Sequence, residues 1–178
     1  MSRKLLTMII AVTSNATGNA AMSDHGRAWE LFRLINPISH SNSAAAVAVY
    51  KVEPYVVAAD VYGVAPHIGR GGWTWYTGSA GWMYRLITES LLGLRVEAGR
   101  LRLAPCLPPE WPGFSLRYRH LGTTYAIRVV QLDAARGPIE GPGLILDGVG
   151  QEDAALTLVD DGREHEVEVR LSRATLPA

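Results

Sequence analysis

Cysteine is almost missing: Cys106 stands alone in 178 residues. One thiol excludes a disulfide framework and a thiolate metal cluster, and it fits a reducing compartment. Cys106 follows Pro105 in a proline-rich run and reads as a packed thiol. Charge of one sign is also missing, because 17 basic residues balance 17 acidic ones. That balance argues against nucleic acid or an anionic membrane as partner. No apolar run approaches the roughly 20 residues that span a bilayer. The histidines show no metal-ligand spacing such as HExxH, so no metal is expected. Arg3 and Lys4 before the apolar run 5–12, with small residues at 19–21, faintly resemble a secretory signal. The run is short and broken by Thr7, so a signal peptide is not expected.

What is present is a globular balance, 48% hydrophobic and 19% charged, enough for one or two small cores. The distinctive stretch is 69–85, GRGGWTWYTGSAGWMYR, which holds three of the five tryptophans: Trp73, Trp75 and Trp82. Flat rings beside bare backbone suit a site that stacks on a sugar and brings main-chain N–H groups to an anion. Residues 79–92 follow with Met83, Leu86, Ile87 and Leu91 at three- and four-residue spacing, and Gly93 as a stop. Thr77, Gly78 and Ser79 therefore fall at a helix N-terminus, where free N–H groups and the helix dipole favour phosphate. The plainer account makes the tryptophans core and the glycines spacers.

Elsewhere, Asp24 is placed to cap a helix over 26–35, with Ala28, Leu31, Phe32 and Ile35 on one face and Asn36-Pro37 as its end. Residues 43–49 suit helix by alanine content and strand by valine content; helix is preferred. Residues 55–62, after Pro54, are predicted helical, with Tyr55, Val56, Ala59 and Tyr62 on one side; 63–72 is a loop. After Gly93 the period becomes two. Strands are predicted around turns at Ala98-Gly99, Leu121-Gly122 and Asp160-Asp161-Gly162, with further strands at 144–146, 155–159 and 164–171. The proline-rich 105–112 cannot sit inside a sheet, and 137–143 is a glycine-proline loop. The expected fold class is α+β, with helices followed by a small antiparallel β-sandwich.

Three segments in order, HGRAWELFRLINPISH (25–40), YKVEPYVVAADVY (50–62) and 69–85, resemble the C-terminal part of glycoside hydrolase family 94. Within it they look most like the phosphorylase-like end of the cyclic β-1,2-glucan synthetases; cellobiose and chitobiose phosphorylases are further relatives. The likeness covers residues 24–130 or so. It implies that 24–93 is the end of an incomplete (α/α)6 barrel and 94–178 the sandwich. Residues 1–23 lack the words of the preceding barrel helix and read as a ragged start, from a truncated or misassigned frame.

The resemblance implies phosphorolysis of a β-glucosidic bond with inversion. A carboxylic acid protonates the leaving oxygen, and phosphate replaces the water of an inverting hydrolase. Phosphate is already anionic, so it needs donors more than a base. Thr77 and Gly78 match the family's phosphate-holding Thr-Gly; the ordinary role for Thr77 is a cap. The family's acid, and the arginine and histidine of its phosphate pocket, match no residue here. Arg70, His40 and His67 do not occupy those positions. No catalytic residue is therefore expected, and the chain is expected to be inactive alone.

Glu53 and Asp60 are seven residues apart, which on a helix would share a face, but a helix-start carboxylate and a structural hydrogen bond explain them more simply. Trp73, Trp75, Tyr76 and Trp82 are expected to line the sugar site or the barrel wall. The implied partners are a β-glucan oligosaccharide, inorganic phosphate as co-substrate and an upstream barrel polypeptide; no cofactor and no nucleic acid are implied. The implied location is the cytoplasm, at the inner membrane if a larger parent protein holds it there. The competing reading is a non-catalytic carbohydrate-binding or structural module carried by the sandwich, whose aromatics are Phe114, Tyr118 and Tyr125 with Trp111 just before.

Overall fold

The computed structural model describes residues 24–75, 77–132 and 143–172. The chain divides into two compact units, Met1–Ile87 and Thr88–Ala178. Helices dominate the described part of the first and strands the second, so the α+β class stands.

In the first unit, Asp24 opens α1 (His25–Ile35) by accepting from the Arg27 N–H at 3.1 Å. The helix buries Ala28, Trp29, Leu31 and Ile35. Asn36 ends it in extended conformation and caps a short 3-10 turn, Pro37–His40. Helix α2 (Ala44–Tyr50) is only seven residues long, too short to persist by propensity. It is fixed at both ends: the Ser43 hydroxyl accepts from Ala46 N–H, and Lys51 closes it in the left-handed region at φ 55°.

Residues 55–62 are not helical. A turn closes from Val56 N–H to Glu53 C=O at 3.1 Å, and β1 (Asp60–Val61) pairs antiparallel with β2 (Gly71–Gly72). Ala59 donates to Trp73 and Tyr62 to Arg70, extending that ladder on both sides. The apparent helical spacing reflects burial of Val56, Ala58 and Ala59 from an irregular chain; Val56 and Ala58 pack with Tyr50 and Val52. The predicted helix over 79–92 begins at Thr77: α3 (Thr77–Arg85) continues as a π-helical segment, Leu86–Leu91. Leu86 and Leu91, both buried, are one i→i+5 step apart, which suits the wider turn.

In the second unit, Gly93 stops that segment at φ 72°. The hairpin of β3 (Leu94–Glu97) and β4 (Arg100–Leu103) turns at Ala98-Gly99, both at positive φ, and β9 (Ala155–Thr157) joins β4. The other sheet runs in the order β5 (Gly113–His120), β6 (Thr123–Leu132), β10 (Glu164–Ser172), β7 (Leu144–Leu146), β8 (Val149–Gln151). It corrects the antiparallel expectation: β10 lies parallel to β6 over nine residue pairs. Period-two alternation sets which face is buried, and that is the same for either strand direction. Strand β8 adds to the predicted strands, and the loop predicted over 137–143 lies outside the described residues except Gly143.

Both sheets feed one core. Leu101, Leu103 and Leu156 from the smaller sheet cluster with Tyr125, Ile127, Val129, Val167 and Val169 from the larger. Buried Gln131 holds the proline-rich run by donating to the carbonyls of Pro108 at 2.9 Å and Trp111 at 2.7 Å. Cys106 is buried and takes part in no disulfide.

Candidate functional site

The glycine-tryptophan stretch forms one wall of an open cleft of about 670 Å³ in the first unit. Lys51, Glu53, Tyr62, His67, Arg70 and Trp73 line it. The glycines of β2 are required by close approach. A Cβ on Gly71 would meet the Val52 side chain at 2.5 Å, and one on Gly72 would meet Asp60 Oδ1 at 2.6 Å. Bare backbone therefore presses against a buried carboxylate. Burial raises the Asp60 carboxyl above its usual range.

Beyond β2 the chain makes two left-handed steps, at Trp73 (φ 46°) and Trp75 (φ 63°). Aromatic residues rarely adopt this conformation, and each instance costs on the order of 1–3 kcal/mol. The strain turns both rings outward: Trp73 is 58% and Trp75 67% exposed, the latter meeting Tyr55 edge-on with centroids 6.4 Å apart. Neither is core, which leaves the plainer packing account without its main residues. Trp82 is also exposed, beneath the Arg85 guanidinium at 5.8 Å. Tyr76 lies outside the described residues.

Thr77 and Gly78 are the first two residues of α3, and both are exposed. N–H groups at such positions have no acceptor within their own helix. Ser79 is buried, and its hydroxyl has no protein partner.

The other candidates separate. Glu53 faces the cleft from a turn, whereas Asp60 is buried in β1, so the two carboxylates do not share a helix face. The His40 ring stacks on Tyr50 with centroids 4.8 Å apart, and its Nε2 lies 2.9 Å from the Leu34 carbonyl oxygen, a structural placement. His67 and Arg70 line the cleft. Lys51 lies inside the 50–62 segment, but sequence reasoning does not single it out; it lines the cleft from the left-handed position that closes α2. Among the described residues, no group of three or more His, Cys, Asp or Glu side chains could hold a metal ion. No described helix is long and apolar enough to cross a membrane.

Exposed tryptophans, glycine backbone and a helix start thus meet within residues 69–85, and sequence comparison gives the family that this stretch matches. Residues 11–93 match the glycosyl hydrolase 94 superfamily catalytic domain, and residues 94–134 match the glycosyl hydrolase family 65 C-terminal domain. Residues 11–93 thus carry glycoside hydrolase family 94 sequence. The match takes in residues 11–23, although these carry none of the three motifs.

Over 120 residues the chain is 49% identical to Cyclic beta-(1,2)-glucan synthase NdvB of Rhizobium meliloti, covering 67% of this chain and 4% of that protein. It is 29% identical over 145 residues to Solabiose phosphorylase of Paenibacillus borealis, covering 81% of this chain and 19% of the relative. It is 31% identical over 109 residues to N,N'-diacetylchitobiose phosphorylase of Vibrio proteolyticus, covering 60% and 13%. The chain therefore spans less than a fifth of each of these proteins.

Proposed function

We propose that this chain supplies the phosphate-holding corner of a family 94 catalytic domain, acting on β-glucan with inorganic phosphate as acceptor and with inversion. Thr77 and Gly78 grip the phosphate, and Trp73, Trp75 and Tyr76 line the sugar path. Helices α1 to α3 are part of an (α/α)6 barrel whose other turns, with the general acid, belong to further polypeptide. The observation that carries this reading is the exposed Thr77-Gly78 pair at the start of α3, directly after two outward-turned tryptophans. Exposed Tyr55, Val64, Ile68 and Tyr84 are the apolar residues that such further polypeptide would cover. The module reading loses support: in the second unit Tyr125 is buried, Phe114 and Tyr118 pack against the core, and Trp111 is the one exposed aromatic among the described residues.

The test is phosphorolysis. The pure 178-residue chain with β-1,2-glucan and phosphate is expected to release no glucose 1-phosphate. Adding a polypeptide that carries the upstream family sequence is expected to restore it. Release by the chain alone would overturn the claim that the acid lies elsewhere.

A further inference from the structure

The alternating run at 164–171 hides a second feature, which belongs to neither the cleft nor the phosphate site. The His165 imidazole sits between two carboxylates, Asp147 and Asp161, 18 and four residues earlier in the chain. Its Nδ1 is 2.6 Å from Asp147 Oδ2, and its Nε2 is 3.3 Å from the Asp161 carboxylate. Only the protonated ring carries hydrogen on both nitrogens, so only that form donates to both.

Each carboxylate is anchored in turn. Asp147 Oδ1 accepts from Glu166 N–H at 2.8 Å, and Asp161 Oδ1 accepts from Arg163 N–H at 3.0 Å. The buried Thr123 hydroxyl oxygen accepts from the N–H groups of Asp161 and Gly162 at 2.8 and 3.0 Å. The imidazole stacks on Tyr125, with centroids 5.3 Å apart. The Tyr125 hydroxyl accepts from Val159 N–H at 2.8 Å. One ring thereby links the β7–β8 turn, the β9–β10 connection and the start of β6.

We propose that Asp147, His165 and Asp161 form a proton-operated clamp that ties the β7–β8 turn to the β9–β10 connection. When the ring loses a proton, one nitrogen becomes an acceptor facing a carboxylate, and that arm lets go. The titratable and charged groups facing the ring are Asp147 from the β7–β8 turn, Asp161 from the β9–β10 connection, with Arg163 at 3.9 Å from Asp161, and Tyr125 from β6. The direction of titration agrees. The hydrogen bond to Asp147 raises His165 above its usual 6.5. Bonds from His165 to Asp147, and from the Arg163 N–H to Asp161, lower both carboxyls below their usual 3.8.

The linkage signs follow. The histidine's contribution is complete below pH 6.5 and disappears as pH rises through its higher folded value. The carboxylates' contribution is present above pH 3.8 and disappears as pH falls through their lower folded values. The clamp is fully closed between those limits.

The experiment is done on the full chain. Proton NMR is expected to place the His165 titration above 6.5. Exchange of the Glu166 amide, corrected for its intrinsic rate, is expected to report opening that rises by up to about tenfold per pH unit across the histidine window. His165→Gln is expected to flatten that rise. A His165 titration at or below 6.5, or the same exchange profile in H165Q, would overturn the clamp. Should H165Q not fold, Asp147→Asn takes its place. It is expected to bring the His165 titration down, and an unmoved titration would overturn the proposal.

Discussion

Replacing Gly93 with alanine is expected to destabilise the second unit by on the order of 4 kcal/mol, a large share of a typical domain's stability. Two costs combine. The residue sits at φ 72°, where any side chain adds about 1 kcal/mol of strain. A Cβ there would also overlap the backbone of Ala104 and Pro105, which cannot swing away as a side chain could. Ala104 N–H donates to the Gly93 carbonyl at 2.9 Å, so relief would come only by parting the β3–β4 hairpin at its open end. Gly99 is the matched control. It has nearly the same φ, 73°, and a methyl group added there would meet nothing within 4 Å. Gly99→Ala is expected to cost only the strain. Urea unfolding followed by the β6 and β10 amide signals checks both; equal small losses would refute the overlap argument.

Thr77 is the second position where a large effect is expected. In the chain complemented by the upstream polypeptide, Thr77→Val is expected to lower the phosphorolysis rate by about 100-fold, the usual scale for one lost oxyanion donor. Thr77→Ser, which keeps the hydroxyl, is expected to retain most of the rate. Thr77→Asp separates the two roles of this residue. Aspartate serves a helix start well, through both hydrogen bonding and the dipole. Next to phosphate it repels. Loss of activity in T77D with an intact helix marks a phosphate ligand, whereas full activity would reduce Thr77 to a cap.

Much of this molecule is legible in its residues where the determinant is local. Asp24 and Ser43 cap the helices they precede, Gly93 stops the chain at positive φ, and turns fall at Ala98-Gly99 and Leu121-Gly122. The start of α3 is similarly local. Long-range choices are not legible. Val56 and Ala59 lie three apart in sequence by coincidence: Val56 closes a turn on Glu53, while Ala59 bonds to Trp73 beside the pairing of Asp60 and Val61 with the glycine strand. The direction of β10 is equally hidden, because alternation looks the same both ways. His165 is the clearest case: nothing in HEVEVRL announces partners 18 and four residues away, on two different turns. The outward tryptophans are legible as an unusual cluster, but only the left-handed backbone at Trp73 and Trp75 explains why they stay out of the core.

The order of strands has a consequence for how the second unit is made. Strand β10 comes last in chain order among the described strands yet lies third in its sheet, between β6 and β7. Before it emerges from the ribosome, two separate ribbons, β5–β6 and β7–β8, have no common partner. The central plank is thus laid after the outer ones, and a nascent chain stopped before Glu164 would hold these two ribbons without the larger sheet.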